Sequence, residues 1–294
     1  MLSRFSRPAV SVPPTLGSAA ANVTFSGANN SVVTGIIPIN GGTSLSVAVP
    51  SPIYTIAAGS SVGVSITNND GASSGGYTMT VIGLPTGGNT VSSIGSTRIH
   101  RFNSSGTLTV PTGFAATASY LVVAGGGGGG GVIGGGGGAG GMITGTTSIS
   151  VGSYSVTVGA GGAGGANYSN PGMAGTSGSP SVFNSLTANG GGNGGGYNFS
   201  PSSQDGACSP GGSGGGSASD QSYPVGSGTP GQGYSGGSGT AQGVINNPNR
   251  SGGGGGGAGA IGGNGTTLLG GNGGNGANSS ISGTTSSFAG GRAG

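Results

Sequence analysis

The sequence predicts an all-β chain with essentially no helix: an N-terminal β-sandwich, then a glycine-rich domain whose β base carries polyglycine-II rods. Three observations predict it. Glycine supplies 79 of 294 residues, several times its usual share of roughly 7%, and it is dense only after residue 110. Charged residues make up 3% of the chain, with no Lys and no Glu, which removes two of the better helix formers. Outside the glycine tracts, apolar residues alternate with small or polar ones at the two-residue period of a half-buried strand.

Residues 1–22 are rich in Pro, Ser and Ala, have no periodicity, and read as an extended arm or linker. Ser11, Pro8, Pro13 and Pro14 interrupt any apolar run there, so no signal peptide is expected. No apolar stretch in the chain approaches the ~20 residues of a membrane span, and membrane insertion is not expected. Residues 23–97 read as a separate β-domain. The short runs VTF, SVVTGIIPI, SLSVAV, IYTIAAG, SVGVSIT and YTMTVIGL are separated by turn residues. Leu45, Val47 and Val49 alternate, as do Val62, Val64 and Ile66, and Asn68-Asn69-Asp70-Gly71 is a turn signal. This spacing predicts a small antiparallel sandwich.

A Gly/Ser stretch over residues 85–96 leads into residues 98–294, the glycine-rich domain. Ile99, Phe102, Leu108 and Val110, then Tyr120 to Val123, predict two strands that run straight into glycine. Ile149, Val151, Tyr154, Val156 and Val158 predict a further hairpin, and Val182-Phe183 with Leu186 is a last apolar run that packs back on this base.

The glycines themselves keep a register. They recur at every third position in Gly159-Gly162-Gly165, Gly172-Gly175-Gly178, Gly233-Gly236-Gly239, Gly256-Gly259-Gly262-Gly265 and Gly270-Gly273-Gly276. A flexible linker needs no such period, whereas a polyproline-II-type helix has three residues per turn and makes no hydrogen bonds within itself. Its N–H and C=O groups must then find partners on neighbouring segments, which glycine permits because no Cβ holds the backbones apart. Collagen is excluded: there are only 15 prolines, and the tracts are short and broken by turns.

Several motifs in this region resemble the glycine-rich domain found in many tailed-phage tail and appendage proteins. They are Thr109-Val110-Pro111, Val122-Val123-Ala124-Gly125, the tract Gly136-Gly137-Gly138-Ala139-Gly140-Gly141, the run Val156-Thr157-Val158-Gly159-Ala160-Gly161-Gly162, and Ser181-Val182-Phe183. The chain is also similar to the tip adhesins on long tail fibres of T-even-type phages, with their polyglycine-II rods. The resemblance implies a structural virion protein, in the tail or a tail fibre, present in multiple copies. Its implied partners are other virion structural proteins, through the N-terminal region, and a host-surface glycan or protein, through loops of the glycine-rich domain. The implied location is the virion, and the host cytoplasm during assembly. The alternatives are a capsid decoration protein and a secreted cell-surface, matrix or ice-binding glycine-rich protein. An ice-binding face would repeat Ala or Thr, and the outward positions here vary irregularly.

Catalysis is not expected. The titratable candidates His100, Asp70, Asp205 and Asp220 share no motif. His100 stands between Arg98 and Arg101 on a strand-like run, on the face opposite Ile99, and reads as an exposed structural residue. Asp205 and Cys208 do not make a metal-ligand set, and the glycine runs lack the context of a nucleotide-binding loop. No cofactor and no metal are therefore expected. Cys208, the single cysteine, forms no disulfide within the chain. The net charge of +3 comes from six dispersed arginines against three aspartates, so no nucleic-acid partner is expected either. Surface contact is the expected activity, with Tyr197, Asn198, Phe199, Tyr223 and Tyr234 as candidate receptor contacts. Each of these has an equal claim to be a loop anchor.

Overall fold

The computed structural model describes residues 2–4, 10–11, 21–27, 30–36, 44–45, 60–68, 77–80, 82–95, 97–166, 174–197, 206–219, 224–240 and 250–294. These contain strands and extended segments and no α-helix. The N-terminal strands are β1 (Leu2–Arg4), β2 (Val10–Ser11), β3 (Ala21–Ser26), β4 (Ser31–Ile36), β5 (Ser44–Leu45), β6 (Ser61–Asn68) and β7 (Tyr77–Thr80). Next come β8 (Thr90–Ile94), β9 (Thr97–Arg101), β10 (Gly106–Val110), β11 (Ala116–Val123), β12 (Met142–Ile149) and β13 (Gly152–Thr157). The last four are β14 (Ser181–Phe183), β15 (Leu186–Ala188), β16 (Ala277–Ser279) and β17 (Ser286–Phe288).

The alternation read from the sequence becomes an antiparallel sheet in the order β4-β3-β6-β7, with β2 and β5 pairing separately. Register sets Val23 opposite Ile66 and Phe25 opposite Val64, so Ala21, Val23, Phe25, Val62, Val64 and Ile66 are all buried on one face. The runs holding Val47, Val49 and Ile53 to Ala58 lie outside the described residues.

Two sheets form the base of the glycine-rich region. One has the order β12-β11-β1-β9-β8 and the other β10-β13-β14-β15. Between them lie Leu108, Val110, Phe114, Ala118, Val122, Ile149 and Phe183, a core in which each large apolar side chain contributes roughly 1.5–3 kcal/mol. The structure departs from the sequence reading at three places. Residues 2–4 and 10–11, both in the stretch read as an extended arm, form β1, between β9 and β11, and β2, which pairs with β5. A three-residue strand has no periodicity to read, and its pairing comes from the two edges it joins. Residues 85–96, marked in the sequence only as a Gly/Ser stretch with no strand expected, contain edge strand β8, whose residues are all exposed and carry no inward alternation. The expected hairpin of residues 149–158 does not form. Strand β12 pairs with β11 and β13 with β10, because the chain crosses from one sheet to the other at Ser150–Val151. The Tyr154 hydroxyl pins that corner, accepting from Ser150 N at 2.9 Å and donating to Ser150 O at 3.1 Å.

Glycine rods fill the excursions between these strands. Residues 124–131 and 134–141 run antiparallel: Ala124, Gly127 and Gly130 donate N–H to the carbonyls of Gly141, Gly138 and Gly135. The next residues along the first rod, Gly125 and Gly128, donate to Ser179 and Thr176 on a different neighbour. On the third side, the carbonyls of Gly126 and Gly129 accept from Gly162 and Gly165. Each side thus repeats every three residues, the period of a threefold extended helix. The second rod behaves alike: Gly135, Gly138 and Gly141 donate to Gly195, Gly192 and Asn189, while Gly136 and Ala139 donate to Gly253 and Gly256.

This packing makes an interior out of main chain. Residues 135–142, 191–197, 212–219 and 251–257 are buried without interruption. A buried N–H left unpaired costs ~1–3 kcal/mol, so each rod fixes the register of the rods around it. Glycine is needed here for the missing Cβ and not for unusual dihedrals, because no rod glycine among the described residues has a positive φ. A Cβ on Gly125, Gly127, Gly128 or Gly130 would lie far inside 3.0 Å of the carbonyls of Ala160, Gly192, Ala163 and Gly195.

Candidate functional site

The registers gather the turns that return the rods toward the two-sheet base at one distal end. Gly130 donates to Gly135 across the turn at Val132-Ile133, and Tyr197 N and Ser219 N reach the carbonyls of Gly131 and Ile133 at 3.3 and 3.2 Å. Thr240 N donates to Ser251 O at 3.0 Å and Thr266 N to Leu269 O at 2.9 Å. Side chains extend this chain of contacts: Ser219 Oγ donates to Thr240 O at 3.1 Å, and Ser251 Oγ donates to Thr266 O at 2.6 Å. Tyr197, Ser219 and Thr240 are therefore neighbours at the distal end, and the connections that follow them fall outside the described residues.

Two distal turns are described in full, and both carry apolar pairs where the rest of the bundle carries glycine. Val132 and Ile133 hold φ of 45° and 51°, a region that β-branched residues enter only under strain. Leu268 and Leu269 stand 78% and 72% exposed. Sequence reasoning passed over both pairs. The signal was present as Val-Ile and Leu-Leu interrupting glycine tracts with no strand period around them.

The candidate contact residues do not form one patch. Tyr197 is only 7% exposed, and the Arg250 guanidinium sits over its ring, 4.8 Å from the centroid. It anchors the distal end. Asn198, Phe199 and Tyr223 lie outside the described residues. Tyr234 is 49% exposed but belongs to the opposite, proximal end. There Gln232 Oε1 accepts from Asn189 N at 2.7 Å, and Gln232 Nε2 donates to Thr187 O at 3.2 Å. Sequence reasoning also missed Asn193, which is buried in mid-rod. It accepts from Ser209 Oγ at 2.5 Å and donates Nδ2–H to Ala207 O at 2.9 Å.

His100 is buried, contrary to the exposed position expected from sequence. It does lie opposite Ile99 in the alternation of β9, but that face is the inner one. Ser3 pairs with both Arg98 and Ala118, so Arg98 and His100 share the face of the buried Ala118. His100 Nδ1 lies 2.7 Å from Gly87 O, and among the described residues its buried Nε2 has no partner. Burial holds its pKa below the ordinary value and the Arg98 charge pushes the same way, against the hydrogen bond to Gly87. The Cys208 thiol is raised by burial, and its Sγ lies 3.3 Å from Pro224 O. Among the described residues no three His, Cys, Asp or Glu side chains converge on a metal-sized site.

The family model of the glycine-rich domain matches residues 100–294, from β9 through the last rod. The chain belongs to the glycine-rich domain family. No curated protein and no solved structure matches it. The matched glycine-rich domain begins inside a sheet: β8 and β1, both N-terminal to it, pair on either side of β9. Its base is thus completed by residues outside the family's span.

Proposed function

We propose that this chain is a non-enzymatic structural protein of a tailed-phage virion, a tail or tail-fibre component whose rod bundle holds its distal turns toward the host surface. The observation that carries this reading is the separation of ends. Rods cored by main chain hold their shape without large side chains, and their returns collect at the end away from the two-sheet base, with Leu268 and Leu269 displayed there. A spacer or filler has no need to expose a leucine pair at the end of a glycine rod. Loops carried on a rigid scaffold are a common place for binding residues. In this reading the N-terminal sheet, whose Val32 is exposed, joins other virion proteins, many copies assemble in the host cytoplasm, and a glycan or protein of the host surface is the distal partner.

Immunogold electron microscopy of virions with antibody to this chain tests the location, and label on tail tips or fibres is expected. Adsorption tests the contact. The double variant Leu268→Ser, Leu269→Ser is expected to slow virion adsorption at unchanged melting temperature. Label on the capsid shell would make the chain a decoration protein, and unchanged adsorption would make the bundle a passive spacer.

A further inference from the structure

At the proximal end, where the rods meet the two-sheet base, the turns and sheets enclose an open cleft of about 1180 Å³. Met142 to Thr144 of β12 and Leu186 of β15 form one wall, the rod turns around Tyr234 and Ile261 the other, and β16 closes the side. We propose that this cleft binds a neutral oligosaccharide. It lies at the end opposite the distal turns, and the inference does not rest on the virion reading.

The lining decides the ligand class. Among the described residues no charged side chain lines the cleft, so a phosphate, carboxylate or ammonium group would be desolvated there without a counter-charge from them. The surfaces offered are instead flat and apolar, interleaved with neutral hydroxyls and an amide. Tyr234 is half exposed and Ile261 is 66% exposed, while Tyr120 lines the same cleft beside Thr144, Ser235 and Asn278. Among the described residues the Tyr120 and Tyr234 hydroxyls and the Asn278 amide make no hydrogen bond within the chain. A pyranose ring matches this set, since its C–H face stacks on a tyrosine ring while its hydroxyls exchange hydrogen bonds with neutral groups. A lipid chain would leave those groups unpaired.

The cleft is also held open in advance. Gln232 bridges the walls: besides its side-chain bonds to Asn189 and Thr187, its carbonyl accepts from Met142 N at 3.0 Å. Asn189 Nδ2 donates in turn to Thr229 Oγ1 at 3.2 Å. A preformed wall spares the ligand the cost of ordering it, and the volume exceeds the roughly 300–1,000 Å³ of a drug-sized pocket, which leaves room for several sugar rings in line.

Isothermal titration of the full chain with maltohexaose, cellohexaose and chitohexaose, and with a sulfated hexasaccharide as the charged comparator, tests the assignment. At least one neutral hexasaccharide is expected to bind with a millimolar or tighter Kd. Tyr234→Ala should weaken that binding about tenfold, the loss of one aromatic contact, at unchanged melting temperature. Tyr234→Phe should keep most of it, and Val151→Ser, at an exposed residue outside the cleft, should keep all of it. The proposal is overturned by no binding of any neutral probe, by equal binding to Tyr234→Ala, or by preference for the sulfated sugar. A chain that self-associates until Tyr234 is replaced would overturn it too, making the cleft an interface between copies.

Discussion

The guanidinium of Arg250 lies 4.8 Å from the centroid of the Tyr197 ring, and this pair joins the start of one rod to the distal end of another. Tyr197 ends the buried segment 191–197 and Arg250 opens the buried segment 251–257. Replacing the nearly buried Tyr197 by Ala removes a large packed side chain, and a loss of ~3 kcal/mol is expected. Arg250→Ala should cost about 1 kcal/mol, the scale of a partly desolvated cation–π contact. Thermal denaturation of the two variants checks the order. Equal melting temperatures for Tyr197→Ala and the parent chain would return Tyr197 to the list of surface contacts.

Two neighbouring rods supply a paired test of the main-chain interior. A Cβ on Gly128 runs into the carbonyl of Ala163, whereas a Cβ on Gly161 finds its nearest atom, Gly126 O, at 3.6 Å. Gly128→Ala is expected to destabilise the chain by ~3 kcal/mol or more, at or above the top of the ordinary range for overpacking, because main chain and not a side chain must yield. Gly161→Ala should be neutral or should stabilise by about 0.4–1 kcal/mol through the unfolded state. Chemical denaturation of both variants measures the contrast. Similar losses at the two positions would mean that glycine acts there through chain flexibility.

The turn at Val132-Ile133 holds two β-branched residues at positive φ. The single change Ile133→Gly should stabilise the turn by about 1 kcal/mol, since a β-branched residue is strained in that region and glycine is not. A higher melting temperature together with slower adsorption would show that the strain is kept for contact. A lower melting temperature would mean that the Ile133 side chain packs more than it strains.

His100 makes stability depend on pH in a stated direction. Its pKa is lowered in the folded chain by burial first, with the Arg98 charge adding to it, so the unfolded chain binds the proton more readily. Its contribution is present above the unfolded value near 6.5 and is lost as pH falls below it. Denaturant midpoints should therefore drop between about pH 7 and pH 5, and His100→Gln should flatten that slope. An unchanged slope in the variant would assign the dependence elsewhere.

Much of this architecture is legible in the residues themselves. The alternation of Val62, Val64 and Ile66 and the apolar run Tyr120 to Val123 locate strands, because burial on one face of a pleated strand leaves a two-residue period in any sequence. The recurrence of glycine at Gly159-Gly162-Gly165 locates a rod, because a threefold helix packed on its neighbours admits no Cβ at its contact positions. The absence of Lys and Glu disfavours helix before any contact is known. Pairing, by contrast, is a choice among partners with equivalent edges, and only the tertiary structure made it. The strand β13 turns to β10 and not to its sequence neighbour β12, β1 enters between β9 and β11, and the inner face of β9 buries His100. The same holds for function. Tyr197 and Tyr234 look alike in the sequence, each an aromatic residue beside glycine, and become a buried anchor and an exposed cleft residue at opposite ends. A rod's direction is set by which neighbour accepts its N–H groups, and that long-range pairing leaves no local mark in the chain.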